Sequence, residues 1–313
     1  MAEEKVARKG PGRPPKNPAK QKLEIRGVVK QPNSTHSSME FVNKNTGALG
    51  SALKTFKSIS VSNIQFVIRP TEIIIYNSTS QKLSEPLKNG AKEHQKRIYL
   101  RIDCTKTMMY YAREPTEFGV MFDDFYGVID KIDNKYRSVA FNLSDIDNGK
   151  ALIVILDHIN GVLESHKITV AGLYPKLDQK IESEILDDNM KLQFTLSFGY
   201  LRSIITKLAS KSADRKFTVT QQSKSSDAYI DHINSNKKVL SKYHLRNKEQ
   251  LNFSSKLADN ESFSMDVYVR NIINVVNAFG KNNVCMKLDE TKGIILISPF
   301  DDIITCYFTM NSG

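Results

Sequence analysis

The chain lacks what most enzymes and membrane proteins carry. It has no glycine-rich phosphate-binding loop, no His-Glu-x-x-His pair and no cysteine–histidine cluster at metal-ligand spacing. Its three cysteines, Cys104, Cys285 and Cys306, show neither a metal nor a redox spacing, so reduced, buried thiols in an intracellular protein are expected. No apolar run approaches the roughly 18 residues needed to cross a bilayer, and the N-terminus has no apolar signal-peptide segment, so no membrane partner is expected. The six histidines, His36, His94, His158, His166, His232 and His244, are scattered through expected loops and strands. The acidic pairs Asp123-Asp124, Asp187-Asp188 and Asp301-Asp302 fall at expected turns or element starts, where turn and cap roles account for them. No active site, metal or cofactor is expected.

What the chain does carry is positive charge and a repeated plan. Its 313 residues hold 45 Lys and Arg against 34 Asp and Glu, a net charge of +11 that favours an anionic partner. Residues 1–38 contain nine Lys/Arg and three Glu, so +6 of that charge lies in the first tenth of the chain and about +5 in the rest. This opening segment is nearly empty of large apolar residues and reads as a disordered arm. Within it, Arg8-Lys9-Gly10-Pro11-Gly12-Arg13-Pro14-Pro15-Lys16 resembles an AT-hook, an extended element that lays arginine along the narrow minor groove of A·T-rich DNA. Arg8, Lys9, Arg13 and Lys16 are its candidate DNA contacts. A solvated linker or a nuclear import signal is the alternative.

The stretch Phe263 to Phe308 repeats the plan of Phe118 to Val170 at a period of about 145 residues. Each opens on a short alternating run (Phe118, Val120, Phe122; Phe263, Met265, Val267). Each continues with apolar residues at helical spacing (Phe125, Val128, Ile129, Ile132; Val269, Ile272, Ile273, Val276) and then with strands. Val139, Phe141 and Leu143 alternate, as do Val284, Met286 and Leu288. A unit repeated once at this spacing points to a duplicated subdomain.

Other elements follow from the same periodicities. A strand is expected at 39–42, a helical stripe at Leu49, Ala52, Leu53, Phe56 and Ile59, strands at 64–68 and 72–76 around the turn Arg69-Pro70-Thr71, and strands at 97–103 and 107–113. In the second half a strand is expected at 191–197, a helix at 198–211, strands at 217–219 and 227–233, and a basic loop at 234–250, matching a polar loop at 78–96. The expected organisation is an arm at 1–38, a first domain at 39–171, a connector at 172–189 and a second domain at 190–313. Each domain is expected to be α+β, an antiparallel sheet with two helices on one face.

Two such halves joined by a connector resemble the sliding clamps of the proliferating cell nuclear antigen (PCNA) family, over about residues 39–310. The arm and the stretch Arg69-Pro70-Thr71-Glu72-Ile73 are also similar to the clamp-like protein of African swine fever virus, which implies a large DNA virus as source and the host cytoplasm or nucleus as location. The resemblance implies the DNA clamp fold and a homotrimeric ring around double-stranded DNA, a processivity factor rather than an enzyme. DNA polymerase and other replication and repair proteins are the implied partners.

Candidate DNA-lining residues are Lys54 and Lys57 at the first helix, Lys131, Lys135 and Arg137 at the second, Arg202, Lys207 and Lys211 on the third, and Arg270 and Lys281 at the fourth. The second helix is acidic (Asp123, Asp124, Asp130, with Asp133 after it), and the fourth carries Asn271, Asn274 and Asn277, so a loose electrostatic grip is expected, with the arm supplementing it. Family partners dock a short peptide beneath the connector. The matching positions are Leu173, Tyr174, Ile185 and Leu186, with Tyr307, Phe308 and Met310 near the end of the chain, one of Tyr307 and Phe308 being expected in the core. Two alternatives stand beside this: a monomeric factor that holds DNA by charge, and an AT-hook architectural protein.

Overall fold

The computed structural model describes residues 37–59, 62–77, 96–107, 109–146, 149–171, 182–183, 189–209, 216–233, 239–245 and 252–310. Residues 1–36 of the expected arm, 78–95 of the expected loop, Lys211 and nearly all of the connector lie outside the described residues; Ser37 and Ser38, expected in the arm, instead begin the first strand, and Lys96, expected in the loop, begins the strand Lys96–Asp103.

The described residues form a mostly antiparallel sheet structure with four helices, of the α+β class. The first part runs β1 (Ser37–Asn43), α1 (Thr46–Lys54), β2 (Asn63–Ile68), β3 (Glu72–Tyr76), β4 (Lys96–Asp103), β5 (Met109–Ala112), β6 (Thr116–Met121), α2 (Phe122–Ile129), β7 (Tyr136–Ile146), β8 (Gly149–His158) and β9 (Leu163–Ala171). The second runs β10 (Leu192–Leu196), α3 (Phe198–Ala209), β11 (Lys216–Gln221), β12 (Ala228–Ile233), β13 (Val239–Leu245), β14 (Asn252–Ser255), β15 (Phe263–Tyr268), α4 (Val269–Ala278), β16 (Val284–Asp289), β17 (Gly293–Pro299) and β18 (Ile304–Met310). The order of strands and helices is the same in both.

Local chemistry sets the element ends. The Asn45 side chain caps α1 by accepting from the Ala48 amide at 3.3 Å. Asp123 and Asp124 occupy the first turn of α2, where carboxylates complement the helix dipole. Gly280, at φ 68°, ends α4 in the left-handed conformation that side-chain-bearing residues avoid.

Fourteen strands join in one sheet, in the order β14-β10-β16-β17-β18-β4-β3-β2-β6-β9-β8-β7-β1-β5, and β13-β12-β11-β15 form a second. The helices pack side by side in the order α3, α4, α1, α2. Their apolar faces share one core with the strands: Leu49, Leu53 and Phe56 from the first helical stretch, Phe125 and Ile129 from α2, Leu201 and Ile205 from α3, Ile272 and Val276 from α4.

Two expectations change. The basic loop expected at 234–250 contains strand β13, whose Tyr243 and Leu245 face the interior while Lys242 faces out. Dense lysines masked that period-two pattern. Helix α2 also ends at Ile129, which leaves Lys131 and Lys135 in the following turns and Arg137 on β7.

Candidate nucleic-acid and assembly surfaces

The exposed face of the helix row carries cations on three of the four helices. Lys57 is exposed, with its ammonium 4.8 Å from the Tyr126 ring centroid, and Lys54 donates to the Ile132 carbonyl at 3.3 Å. Arg202 on α3 and Arg270 on α4 are exposed and sit 5.7 Å from Phe198 and Tyr268 respectively, each ring holding a guanidinium at the surface. Lys131 and Lys281 are exposed in the turns after α2 and α4. Lys207 lies on α3. Lys135 and Arg137 are exposed as well, Lys135 3.6 Å from Asp133, and Arg137 3.8 Å from Asp157 while donating to the Ile159 carbonyl.

Helices α2 and α4 present the same stripe in different chemistry. Counting from each helix start, Asp124, Gly127 and Asp130 stand where Asn271, Asn274 and Asn277 stand. An anion therefore meets carboxylates on one helix and amides on the other, and the face as a whole is mixed rather than uniformly basic.

The residues expected to form a peptide pocket separate between the two faces of β18. Phe308 and Met310 are buried in the main core, whereas Tyr307 packs on the other face against Val67, Ile74, Tyr76 and Tyr99. Beside that apolar cluster, at the β2–β3 turn, the Arg69 guanidinium grips Glu182 through both terminal nitrogens at 2.7 Å and reaches Glu72 at 2.8 Å. Glu72 also accepts from Arg101 at 2.6 Å. Burial alone would push the Glu72 carboxyl up, but the hydrogen bonds from Arg69 and Arg101 outweigh it and hold the carboxyl below the ordinary carboxylate range. Of the connector positions expected here, Leu173, Tyr174, Ile185 and Leu186 lie outside the described residues, as do Arg8, Lys9, Arg13 and Lys16.

The strand edges carry a signal that sequence reading missed. β18 of the second half pairs with β4 of the first over Ile304↔Ile102 to Met310↔Lys96, so one sheet runs through the junction of the halves. The counterparts of these strands are β9 and β13. Among the described residues, β9 from Leu163 to Thr169 pairs only with β8, and β13 pairs only with β12. Next to these edges lie three of the four exposed large hydrophobic residues among the described ones: Ile159 and Val162 at the tip of the β8–β9 hairpin, 62% and 53% exposed, and Tyr200 on α3.

Among the described residues no group of three or more metal-ligating side chains converges. Asp301 plays the turn role expected of it, accepting from the Ile303 and Ile304 amides at 3.0 and 2.8 Å. No helix among these residues is long and apolar enough to cross a membrane.

Fold and surfaces thus define an α+β protein of antiparallel sheet and four helices with a cation-bearing helix face. No protein-family model matches the chain. It is 22% identical, over 311 residues covering 97% of this chain and 98% of the relative, to an uncharacterized protein of African swine fever virus, from a tick isolate from Malawi. The pig isolate from Kenya and the Vero-adapted Badajoz strain carry the same protein at the same identity and coverage. The likeness runs end to end and supports a viral origin.

Proposed function

We propose that this chain is the subunit of a DNA sliding clamp of the PCNA type, with copies joined head to tail in a ring around duplex DNA that tethers a DNA polymerase and other replication or repair proteins. The role is non-catalytic, and its setting is the viral replication site in the host cytoplasm or nucleus. The observation that carries this reading is the β18–β4 junction. A chain of two halves with the same element order has joined them through one strand pair, and among the described residues it leaves β13 and the Leu163 to Thr169 stretch of β9 without a partner on one side. Open edges of this length invite pairing with another chain. A head-to-tail contact between copies closes into a ring if its rotation matches that of the internal junction. Three copies per ring follow from the resemblance to PCNA, which also makes the first and second parts of the chain two clamp domains.

The helix row supports the placement of DNA. Arg202, Arg270, Lys57, Lys131 and Lys281 are exposed along it, and phosphate contacts of this kind carry no sequence information, as sliding requires. The acids of α2 favour the ring over a monomer that grips by charge. A mixed face holds a polyanion weakly, so retention has to come from enclosure. The half-buried Tyr307, seated on the buried cluster of Val67, Ile74, Tyr76 and Tyr99 beside the Arg69–Glu182 pair, marks the docking region for partner proteins.

Retention on linear duplex tests enclosure directly. Protein threaded onto DNA whose ends are then blocked should stay bound in high salt and leave when one end is freed, because a topological link does not weaken as counterions return. Equal salt-driven loss from open and blocked DNA contradicts enclosure.

A further inference from the structure

The strand pairings map one half of the chain onto the other residue by residue. Phe141 and Met286, the centres of two matching alternating triplets, pair with Val154 and Leu296, and these with His166 and Phe308. The β8–β9 and β17–β18 hairpins therefore span the same number of residues between these partners, from Val154 to His166 and from Leu296 to Phe308, and Val162 at the hairpin tip with Glu164 and His166 on β9 stands where Ile304, Cys306 and Phe308 stand on β18. On the other side, Val120 and Val267 each lie two residues before a helix and pair with Ile64 and Phe217. Two residues further along those strands, Phe66, Ile75 and Leu100 form a cross-strand row whose counterpart is Val219, Ile230 and Tyr243. Tyr243 thus corresponds to Leu100, and Leu245 to Ile102.

The internal junction aligns Ile304 with Ile102 and Cys306 with Leu100. Carried to a second copy, the same register sets Val162 opposite Leu245 and Glu164 opposite Tyr243. The hairpin tip has a counterpart too. Asp301, which accepts from the Asn45 side chain that caps α1, corresponds to Ile159. The matching start of α3 has Ser197 accepting from the Tyr200 amide, with the Tyr200 ring exposed and edge-on to Tyr243 at 6.1 Å.

We infer that the seam between copies is an apolar hook followed by a polar stretch: Ile159 and Val162 of one copy dock on Tyr200, Tyr243 and Leu245 of the next, and Glu164 and His166 replace the buried Cys306 and Phe308 of the internal junction. This rests on the ring reading and adds to it the partner surface and the relative strength of the two joints. At the internal junction Ile304, Cys306 and Phe308 are all 0% exposed. On β9, Glu164 accepts weakly from the Tyr136 hydroxyl and lies 3.3 Å from His166, a pair that keeps its own hydrogen bonds and buries less apolar area than Cys306 and Phe308 do. The seam between copies is the weaker joint, which makes it the one that separates reversibly while the internal junction stays closed.

The test is sedimentation across a concentration series with the full chain and two variants. V162D should be monomeric at concentrations where the unaltered protein is assembled, because it sets a charge against Leu245. E164A/H166F restores the apolar character of the internal junction and should lower the dissociation concentration by about tenfold or more. If the unaltered protein assembles and both variants behave as it does, the seam is elsewhere and the hook is wrong while the ring stands. If the unaltered protein is monomeric throughout, the ring reading fails, and the hook with it.

Discussion

Gly50 shows how closely the helix row is packed at the scale of single residues. A Cβ added there would meet the Ile132 carbonyl oxygen at 2.6 Å and the Ile132 Cγ2 at 3.0 Å, and a backbone carbonyl cannot swing aside. Gly127, in the middle of α2, has no atom within 4 Å of the same added carbon. G50A should therefore destabilise the protein by about 1–3 kcal/mol, while G127A should stabilise it by up to about 1 kcal/mol by removing the glycine penalty in a helix interior. Urea denaturation of both variants checks the pair, and equal effects of the same sign would contradict the packing of α1 on the turn after α2. Burial also pushes the Cys306 thiol up to about 12 and raises that of Cys104; these two are buried as expected, whereas Cys285 on β16 is half-buried. Single-residue roles were legible where local pattern decided them, as for Asp301 in its turn; for Tyr307 and Phe308 the alternation said that one of the two is core, and not which. They were not legible where a long-range pairing decides: nothing local says that Ile304 is buried and its counterpart Val162 exposed, since both are aliphatic residues at the start of a similar strand.

At the scale of elements, the sequence pattern located the four helices and most of the strands of the described residues, because each carries a one-sided apolar period. β9 and β13 are the instructive cases. β9 reads Leu-Glu-Ser-His-Lys-Ile-Thr-Val-Ala, and its interior positions near the free edge are Glu164 and His166, so alternation is lost where an edge strand is half covered. In β13 the lysines dominate the composition. The candidate surfaces are assembled from elements far apart in sequence, and their pairing register is not written in either partner.

The ion network at the β2–β3 turn is likewise built across elements: Glu72 from β3, Arg101 from β4, Arg69 from the turn, and Glu182. The Glu72 carboxyl titrates lower in the folded chain than in the unfolded one. Its stabilisation is therefore fully present above the ordinary glutamate value of about 4.3 and is lost as pH falls through the folded value. E72Q should accordingly lose less thermal stability than the unaltered protein on going from about pH 5 to about pH 3. Identical acid slopes for the two would remove Glu72 from any part in holding this turn together.

At the scale of the molecule, the proposed clamp would divide the work of holding DNA between charge and architecture. The arm carries +6 of the +11, and the face offered by the helices mixes arginine and lysine with the carboxylates of α2 and the amides of α4. In the proposed clamp such a face would guide a polyanion without holding it. Enclosure would then supply the retention, and the AT-hook-like arm, with its Arg8, Lys9, Arg13 and Lys16, would add a tether that does not depend on the ring. The repeated order of elements was legible in the sequence at its period of about 145 residues; the sheet running unbroken through the junction of the halves was not. That junction makes head-to-tail closure the central claim. The most direct measurement is the solution mass by light scattering at micromolar concentration, with and without residues 1–30. A closed ring requires a mass near three times the 35.4 kDa chain, unchanged by removal of the arm. A monomer under both conditions would contradict the ring and leave the arm and the basic side chains to hold DNA by charge alone.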